Sequence, residues 1–208
     1  MSIPSIRTEV VGSYPTPAWL SAMPSRPTLR DALLVVLKTQ EVAGLDVLSD
    51  GELARFDVNH PDTNGMIEFF IRPLSGIATE FTPEERAAFC AQPGMQFRNR
   101  PAGVVRSQLG TGTLDLPSHW SLLPSLTNQP IKFTVTSPYM LAKTLLDSHY
   151  GDLRALCMDL AKILATQVAE INAPVLQVDE ANLTGHPEDR GGGEEEAPGS
   201  REVAAGLT

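Results

Sequence analysis

The chain has 208 residues, enough for one sizeable core, and its 42% apolar and 20% charged content is ordinary for a globular protein. The net charge of −9 and the lack of a Lys/Arg cluster argue against nucleic-acid binding. No run approaches 18 apolar residues and no secretory leader opens the chain, so we expect no membrane span. Two distant cysteines, Cys90 and Cys157, fit a reducing compartment, and we expect a cytoplasmic protein.

Four apolar runs predict β-strands, at residues 9–13, 46–52, 131–138 and 174–180. The fourth is a near-continuous apolar run, which is typical of a buried parallel strand. It ends abruptly in two adjacent carboxylates.

Segments of helical periodicity lie between these strands. A capping pattern that begins at Thr28 starts the first helix, and Gly44 ends it. A long helix is predicted over residues 152–171 and a shorter one over 139–146. Strands that alternate with helices in this way predict parallel β-α-β units, and hence an α/β fold.

Two segments depart from that alternation. In the long piece between the second and third strands, Thr82 starts a short helix, and residues 96–114 are predicted to form a β-hairpin. Residues 191–208 are rich in Gly, Glu and Ala and bury too little apolar surface to fold, so we expect disorder there. The expected organisation is one domain over residues 1–190 and a tail over 191–208.

Polar side chains follow three of the predicted strands. Gly12 and Ser13 follow the first, Glu52 and Arg55 follow the second, and Asp179 with its neighbouring glutamate follows the fourth. Because parallel strands place their carboxyl ends at one rim, Ser13, Glu52 and either Asp179 or Glu180 are candidate binding residues for a zwitterionic ligand. The alternative interpretation is a set of ordinary turns, with Glu52 and Arg55 forming a surface ion pair.

Five short motifs that follow one another along the chain resemble the catalytic domain of cobalamin-independent methionine synthases and their shorter relatives. They are residues 11–15 (VGSYP), 44–52 (GLDVLSDGE), 66–70 (MIEFF), 135–141 (VTSPYML) and 176–180 (LQVDE). Each motif alone is weak, but their common order is specific. The resemblance covers about residues 6–190.

The resemblance implies a parallel (β/α)8 TIM-barrel fold and a zinc-activated thiol. It implies transfer of a methyl group from 5-methyltetrahydrofolate to homocysteine, with the amino acid and the methylated folate as the small-molecule partners. By resemblance, Ser13 contacts the amino acid carboxylate, Glu52 and Asp179 bind its ammonium group, and residues 137–138 lie near the pterin.

Two departures from the family pattern bear on activity. Ala181 follows the Asp-Glu pair where the family usually has proline. The family's zinc ligands, a His-x-Cys pair, a Glu and a distant Cys, follow the fourth strand, and no His-x-Cys occurs here. Cys90 and Cys157 are interpreted as packing residues, and the histidines lack ligand spacing. We therefore expect a barrel truncated to about four β/α units, with exposed strand edges that favour self-association.

Three functional hypotheses follow. The first is a methionine synthase-like methyltransferase domain that keeps amino acid-binding residues but lacks the zinc ligands. The second is a zinc-dependent thiol alkyl transferase or lyase of the epoxyalkane–coenzyme M type on the same scaffold. The third is a catalytically inactive half-barrel that self-associates.

Overall fold

A computed structural model describes residues 6–56, 64–92 and 98–182. Within these ranges the protein is mixed α/β. The helices are α1 (Ala18–Ala22), α2 (Arg26–Val42), α3 (Glu68–Ile71), α4 (Pro83–Cys90), α5 (Leu116–Leu122), α6 (Pro138–Lys143) and α7 (Leu153–Val168). The strands are β1 (Leu48–Ser49), β2 (Ser75–Ala78), β3 (Gly103–Gly110), β4 (Ile131–Thr136), β5 (Leu145–Asp147) and β6 (Val175–Asp179). Short 3-10 helices cover Leu53–Arg55 and Leu123–Ser125.

The chain divides into two compact units, each assembled from separate stretches of sequence. The first contains Met1–Gly65, Leu116–Thr134 and Ile171–Gln177, and the second contains Met66–Asp115, Val135–Glu170 and Val178–Thr208. The strands form two three-stranded sheets, in the orders β1-β4-β6 and β2-β3-β5. Parallel pairing joins β1 to β4 and β3 to β5.

In the first unit, α2 covers β1 through its buried side chains, among them Leu33 and Leu37. Its N-cap is Ser25, which forms a reciprocal capping box with Thr28. The helix therefore begins one turn before the predicted start. The capping pattern at Thr28 belongs to the Ser25 cap, which places Pro27 in the first turn, where proline costs no hydrogen bond.

Two of the four predicted strands are confirmed and two are not. The third and fourth form β4 and β6 nearly to their predicted bounds. The second is only two residues long, because the left-handed residues Gly51 and Glu52 follow one residue after it. The first predicted strand, residues 9–13, is reduced to a single parallel bridge between Glu9 and Val47, so that prediction is wrong in its extent.

In the second unit, β3 lies where the β-hairpin was predicted, and the hairpin is wrong over the described residues. This strand pairs antiparallel with β2 and parallel with β5, both distant in sequence. Gly112, which has a φ of 57°, then turns the chain towards α5. A Cβ there would lie 2.0 Å from the Pro73 carbonyl oxygen, so the close approach requires glycine.

The predicted helices of the second unit are largely observed. Thr82 caps α4 with a capping box, and α7 is confirmed within its predicted bounds. The helix predicted over residues 139–146 ends at Lys143, because the apolar residues after it form β5. No helix among the described residues is long and apolar enough to cross a membrane. The boundary predicted at residue 190 and the segment after it lie outside the described residues.

Candidate functional site

The turn formed by Asp50, Gly51 and Glu52 follows β1 and has an unusual backbone. Gly51 and Glu52 have φ angles of 64° and 60°, and Glu52 is the one described non-glycine residue with positive φ. Such a conformation costs an ordinary residue roughly 1–2 kcal/mol, and it concentrates at functional sites. The Glu52 N–H donates to Asp50 Oδ1 at 2.9 Å, which closes the turn locally. The turn therefore fixes the position and direction of the Glu52 Cα–Cβ bond.

The Glu52 carboxylate is buried and shared between two donors. Its side chain is 6% exposed. Oε2 accepts a hydrogen bond from Ser13 Oγ at 2.7 Å and another from Arg55 Nη1 at 3.2 Å. Both of these donors bind the same carboxylate oxygen, so the protein holds and orients the Glu52 carboxylate through Oε2.

Arg55 anchors this carboxylate to β4. Its side chain is 8% exposed, and Nη2 donates to the Thr134 carbonyl oxygen at 2.5 Å. The guanidinium is planar, so its two arms fix Glu52 relative to the strand. The ion pair foreseen as a surface alternative is present, but it is buried.

Ser13 lies on the segment that precedes α1. The Tyr14 N–H donates to the Gly51 carbonyl oxygen at 3.0 Å, which ties this segment to the turn. A Cβ on Gly51 would lie 2.9 Å from Tyr14 Cβ. Gly51 is therefore required both by its left-handed backbone and by the close approach of Tyr14.

Asp50 is the second carboxyl group of the turn. Burial raises its pKa above the ordinary value of 3.8, and the neighbouring Arg55 charge opposes this effect. Glu52, whose charge adds to the increase, and His119, which counters it, also act on the group. Asp50 and Glu52 are therefore two adjacent carboxyl groups with different surroundings.

The third predicted site residue, Asp179, belongs to the second unit. Its carbonyl oxygen accepts the Ser137 N–H at 2.9 Å, and the residue is half-buried at the end of β6. The neighbouring Glu180 accepts hydrogen bonds from Ser137 Oγ and from the Met140 N–H. Ser137 is the N-cap of α6, so Glu180 reinforces that cap.

The described residues do not fit a zinc site. Across residues 6–56, 64–92 and 98–182, no three His, Cys, Asp or Glu side chains are grouped so that they could hold a metal ion. Cys157 is buried in α7, as predicted. Cys90 was predicted to be a packing residue, but it is exposed. It is the last residue of α4, and its thiol lies 3.4 Å from the Asn99 carbonyl oxygen.

Two buried polar residues near the site are absent from the sequence-based candidates. Gln40 of α2 is fully buried and bonds both backbone groups of Ser49. Lys132 of β4 is 2% exposed and donates to three acceptors. A polar residue on the apolar face of α2 and a lysine inside an apolar strand were the available signals.

Residues 6–205 match the family described as "Cobalamin-independent synthase, Catalytic domain". A methionine synthase of Thermococcus kodakarensis is 28% identical over 204 residues, which cover 91% of this chain and 56% of that protein. A methionine synthase of Sulfurisphaera tokodaii is 29% identical over 199 residues, with coverages of 88% and 54%. The chain thus spans just over half the length of these relatives.

The fold also matches a solved structure. A B12-independent methionine synthase from Shewanella sp. W3-18-1, in complex with selenomethionine, aligns with a TM-score of 0.73 and 23% identity. The alignment covers 97% of this chain and 58% of the other. At this identity the likeness establishes a shared fold.

Proposed function

We propose that this chain, which belongs to the cobalamin-independent synthase catalytic-domain family, binds the amino acid end of homocysteine or methionine through Ser13 and Glu52. The observation that carries the proposal is the buried Glu52–Arg55 pair on a left-handed turn, with the exposed Ser13 hydroxyl bonded to Glu52. A carboxylate oriented in this way is a suitable acceptor for an alkylammonium group. The solved relative with bound selenomethionine supports the same ligand class.

The charge balance of the site supports a role for a second carboxylate. Arg55 already offsets the charge of Glu52, so an incoming ammonium group needs further negative charge to bind firmly. The family resemblance assigns that role to Asp179, and we include it in the proposal. Asp50 is less suited, because burial raises its pKa and favours its neutral form.

The reaction proposed for the family member as a whole is methyl transfer from 5-methyltetrahydrofolate to the homocysteine thiol. The residues described here contribute amino acid binding and orientation to that reaction. The methylated folate as donor, a zinc requirement and self-association through strand edges remain predictions from the sequence.

Titration calorimetry with L-methionine tests the binding proposal. We expect the wild-type chain to bind, and Ser13→Ala and Asp179→Asn each to weaken binding about tenfold. Ser13→Ala removes a hydrogen bond to a charged group, and Asp179→Asn removes the negative charge that faces the ammonium group. Glu170→Gln is the control, since Glu170 is exposed at the end of α7 and its change also removes one negative charge. Absence of binding by the wild-type chain would reject the proposal.

The alkyl transferase alternative predicts a different ligand preference. Coenzyme M is a thiol with a sulfonate and no ammonium group, so the Glu52 carboxylate would offer it no favourable charge. We therefore expect L-homocysteine to compete with L-methionine and coenzyme M not to compete. Tighter binding of coenzyme M than of L-homocysteine would favour the alternative.

A further inference from the structure

The backbone pairing between the N-terminal segment and β1 is interrupted at one step. Glu9 pairs with Val47 in a parallel bridge, and the Val47 N–H donates to the Thr8 carbonyl oxygen at 3.2 Å. In the same register, the Ser49 N–H would next donate to the Val10 carbonyl oxygen. The Gly12 N–H would then donate to the Ser49 carbonyl oxygen. We call these two expected bonds the open ladder step.

Gln40 occupies the Ser49 side of the open ladder step. The Ser49 N–H donates to Gln40 Oε1 at 2.9 Å, and Gln40 Nε2 donates to the Ser49 carbonyl oxygen at 2.8 Å. Both backbone groups of Ser49 that would face the N-terminal segment are thereby satisfied by a side-chain amide. Because Gln40 is fully buried, these bonds do not compete with water.

Lys132 occupies the opposite side of the open ladder step. Its Nζ donates to the Val10 carbonyl oxygen at 2.5 Å, to Gln177 Oε1 at 2.6 Å and to Glu9 Oε2 at 3.3 Å. Lys132 lies opposite Ser49 in the β1–β4 register. A buried ammonium with three acceptors satisfies all its donors, so the arrangement is stable without backbone pairing.

The pairing resumes after the open ladder step, at Tyr14. The bond that the register would place between the Gly51 N–H and the Gly12 carbonyl oxygen is replaced by one from the Gly51 N–H to Ser49 Oγ at 3.2 Å. The Tyr14 N–H then donates to the Gly51 carbonyl oxygen, as the original register requires. Between the two paired points the chain arches outward: Val11 is 73% exposed and Gly12 has a φ of 95°. Ser13 is carried on this arch, and from there its hydroxyl reaches Glu52.

We propose that Gln40 and Lys132 are positioning residues that replace the open ladder step and thereby set the place of Ser13 relative to Glu52. The consequence for ligand affinity rests on the proposed function, whereas the replacement of the backbone bonds does not. With both side chains made apolar, the buried Ser49 N–H loses its acceptor, and the register offers it the Val10 carbonyl oxygen, so the ladder closes and draws the arch inward.

NMR couplings through hydrogen bonds test the replacement in the unaltered chain. We expect a coupling between the Ser49 amide nitrogen and the Gln40 side-chain carbonyl carbon, and none between Ser49 and the Val10 carbonyl carbon. In the double variant Gln40→Leu/Lys132→Met the Ser49–Val10 coupling should appear. A Ser49–Val10 coupling in the wild-type chain would overturn the inference without the need for any variant.

Affinity for L-methionine tests the positioning role. We expect Gln40→Leu to weaken binding about tenfold, with Gln40→Glu, which keeps the acceptor for the Ser49 N–H, intermediate. Leu37→Ala is the matched control, because it opens a cavity in the same helix but leaves the Gln40 amide in place. It should lower the stability and leave the affinity of the folded protein unchanged. Equal affinities of wild-type and Gln40→Leu proteins would refute positioning.

The two proposals fail in distinguishable ways. If the wild-type chain binds no L-methionine, the proposed function is rejected. The position of Ser13 is then read from the ¹³C shift of the Glu52 carboxyl carbon, which should change in Gln40→Leu and not in Leu37→Ala. An unchanged shift in Gln40→Leu would refute the positioning role independently of any ligand.

Discussion

At the scale of single residues, the geometry of Glu52 is determined by its immediate neighbours. A left-handed backbone is unfavourable for a glutamate, yet Asp50 accepts its N–H and Arg55 holds its carboxylate. Both partners lie within three residues of Glu52 in the sequence. The cost of the conformation is therefore met locally, and the side chain is oriented before any ligand binds.

A comparison of two glycines with similar backbone angles distinguishes the cost of backbone strain from the cost of a steric clash. Gly44 and Gly51 have φ angles of 76° and 64°, but a Cβ on Gly44 meets nothing within 4 Å, whereas one on Gly51 meets Tyr14. We expect Gly44→Ala to destabilise the protein by about 1 kcal/mol and Gly51→Ala by at least about twice as much. Urea unfolding measures both, and equal losses would contradict the role assigned to the Tyr14 contact.

Asp50 gives a pH-dependent prediction. Because burial raises its pKa in the folded state, its favourable contribution is complete below the unfolded value near 3.8 and is lost as the pH rises through the folded value. Asp50→Asn keeps the Oδ1 acceptor for Glu52 but does not ionise. We expect the variant to gain stability over wild type as the pH increases from 4 to 7. Urea unfolding at both pH values measures this, and a gain that shrinks with pH would be inconsistent with it.

At the scale of elements, α6 is held by a cap that reaches beyond its own sequence. Ser137 is fully buried, accepts the Met140 N–H at 3.0 Å and donates to Glu180, which follows β6. The cap of α2 at Ser25 is exposed, and its reciprocal partner is Thr28, three residues further along the same helix. The two caps thus differ in burial, and only the Ser137 cap also bonds a residue from another element, Glu180.

Removing each cap should therefore have unequal effects. We expect Ser25→Ala to cost about 1 kcal/mol of unfolding free energy, which is usual for an exposed cap. Ser137→Ala should cost about 2–3 kcal/mol, because it also leaves the Glu180 carboxylate with one partner fewer. Thermal or urea unfolding of both variants gives the comparison, and a smaller effect at Ser137 would argue against the buried network.

The elements that sequence reasoning located are those whose stability is local. The residues of α7 alone carry its helical periodicity, and the residues of β4 and β6 alone carry their apolar runs, so each element can be recognised without knowing its partners. The partners of β3 lie at Ser75–Ala78 and Leu145–Asp147, and no local pattern indicates such pairing. Residues 9–13 have the pattern of a strand, but Gln40 and Lys132 take the hydrogen bonds that a strand would need.

At the scale of the whole molecule, the family match covers residues 6–205, while the chain spans just over half of its relatives' length. Ser13 and Glu52 were predictable as neighbours, because both follow strand-like segments whose ends meet at one rim. The roles of Gln40 and Lys132 were not predictable. Their key partners include backbone atoms of Ser49 and Val10, and every residue type carries the same backbone groups, so the sequence does not indicate which of them are bonded.

The most direct test of the central claim is whether Glu52 recognises an ammonium group. Calorimetric titrations of wild-type and Glu52→Gln proteins would compare L-methionine with 4-(methylthio)butanoate, its analogue without the amino group. We predict that wild type prefers L-methionine by about 10- to 100-fold and that Glu52→Gln loses most of this preference. A preference that is absent in wild type, or unchanged in Glu52→Gln, would contradict it.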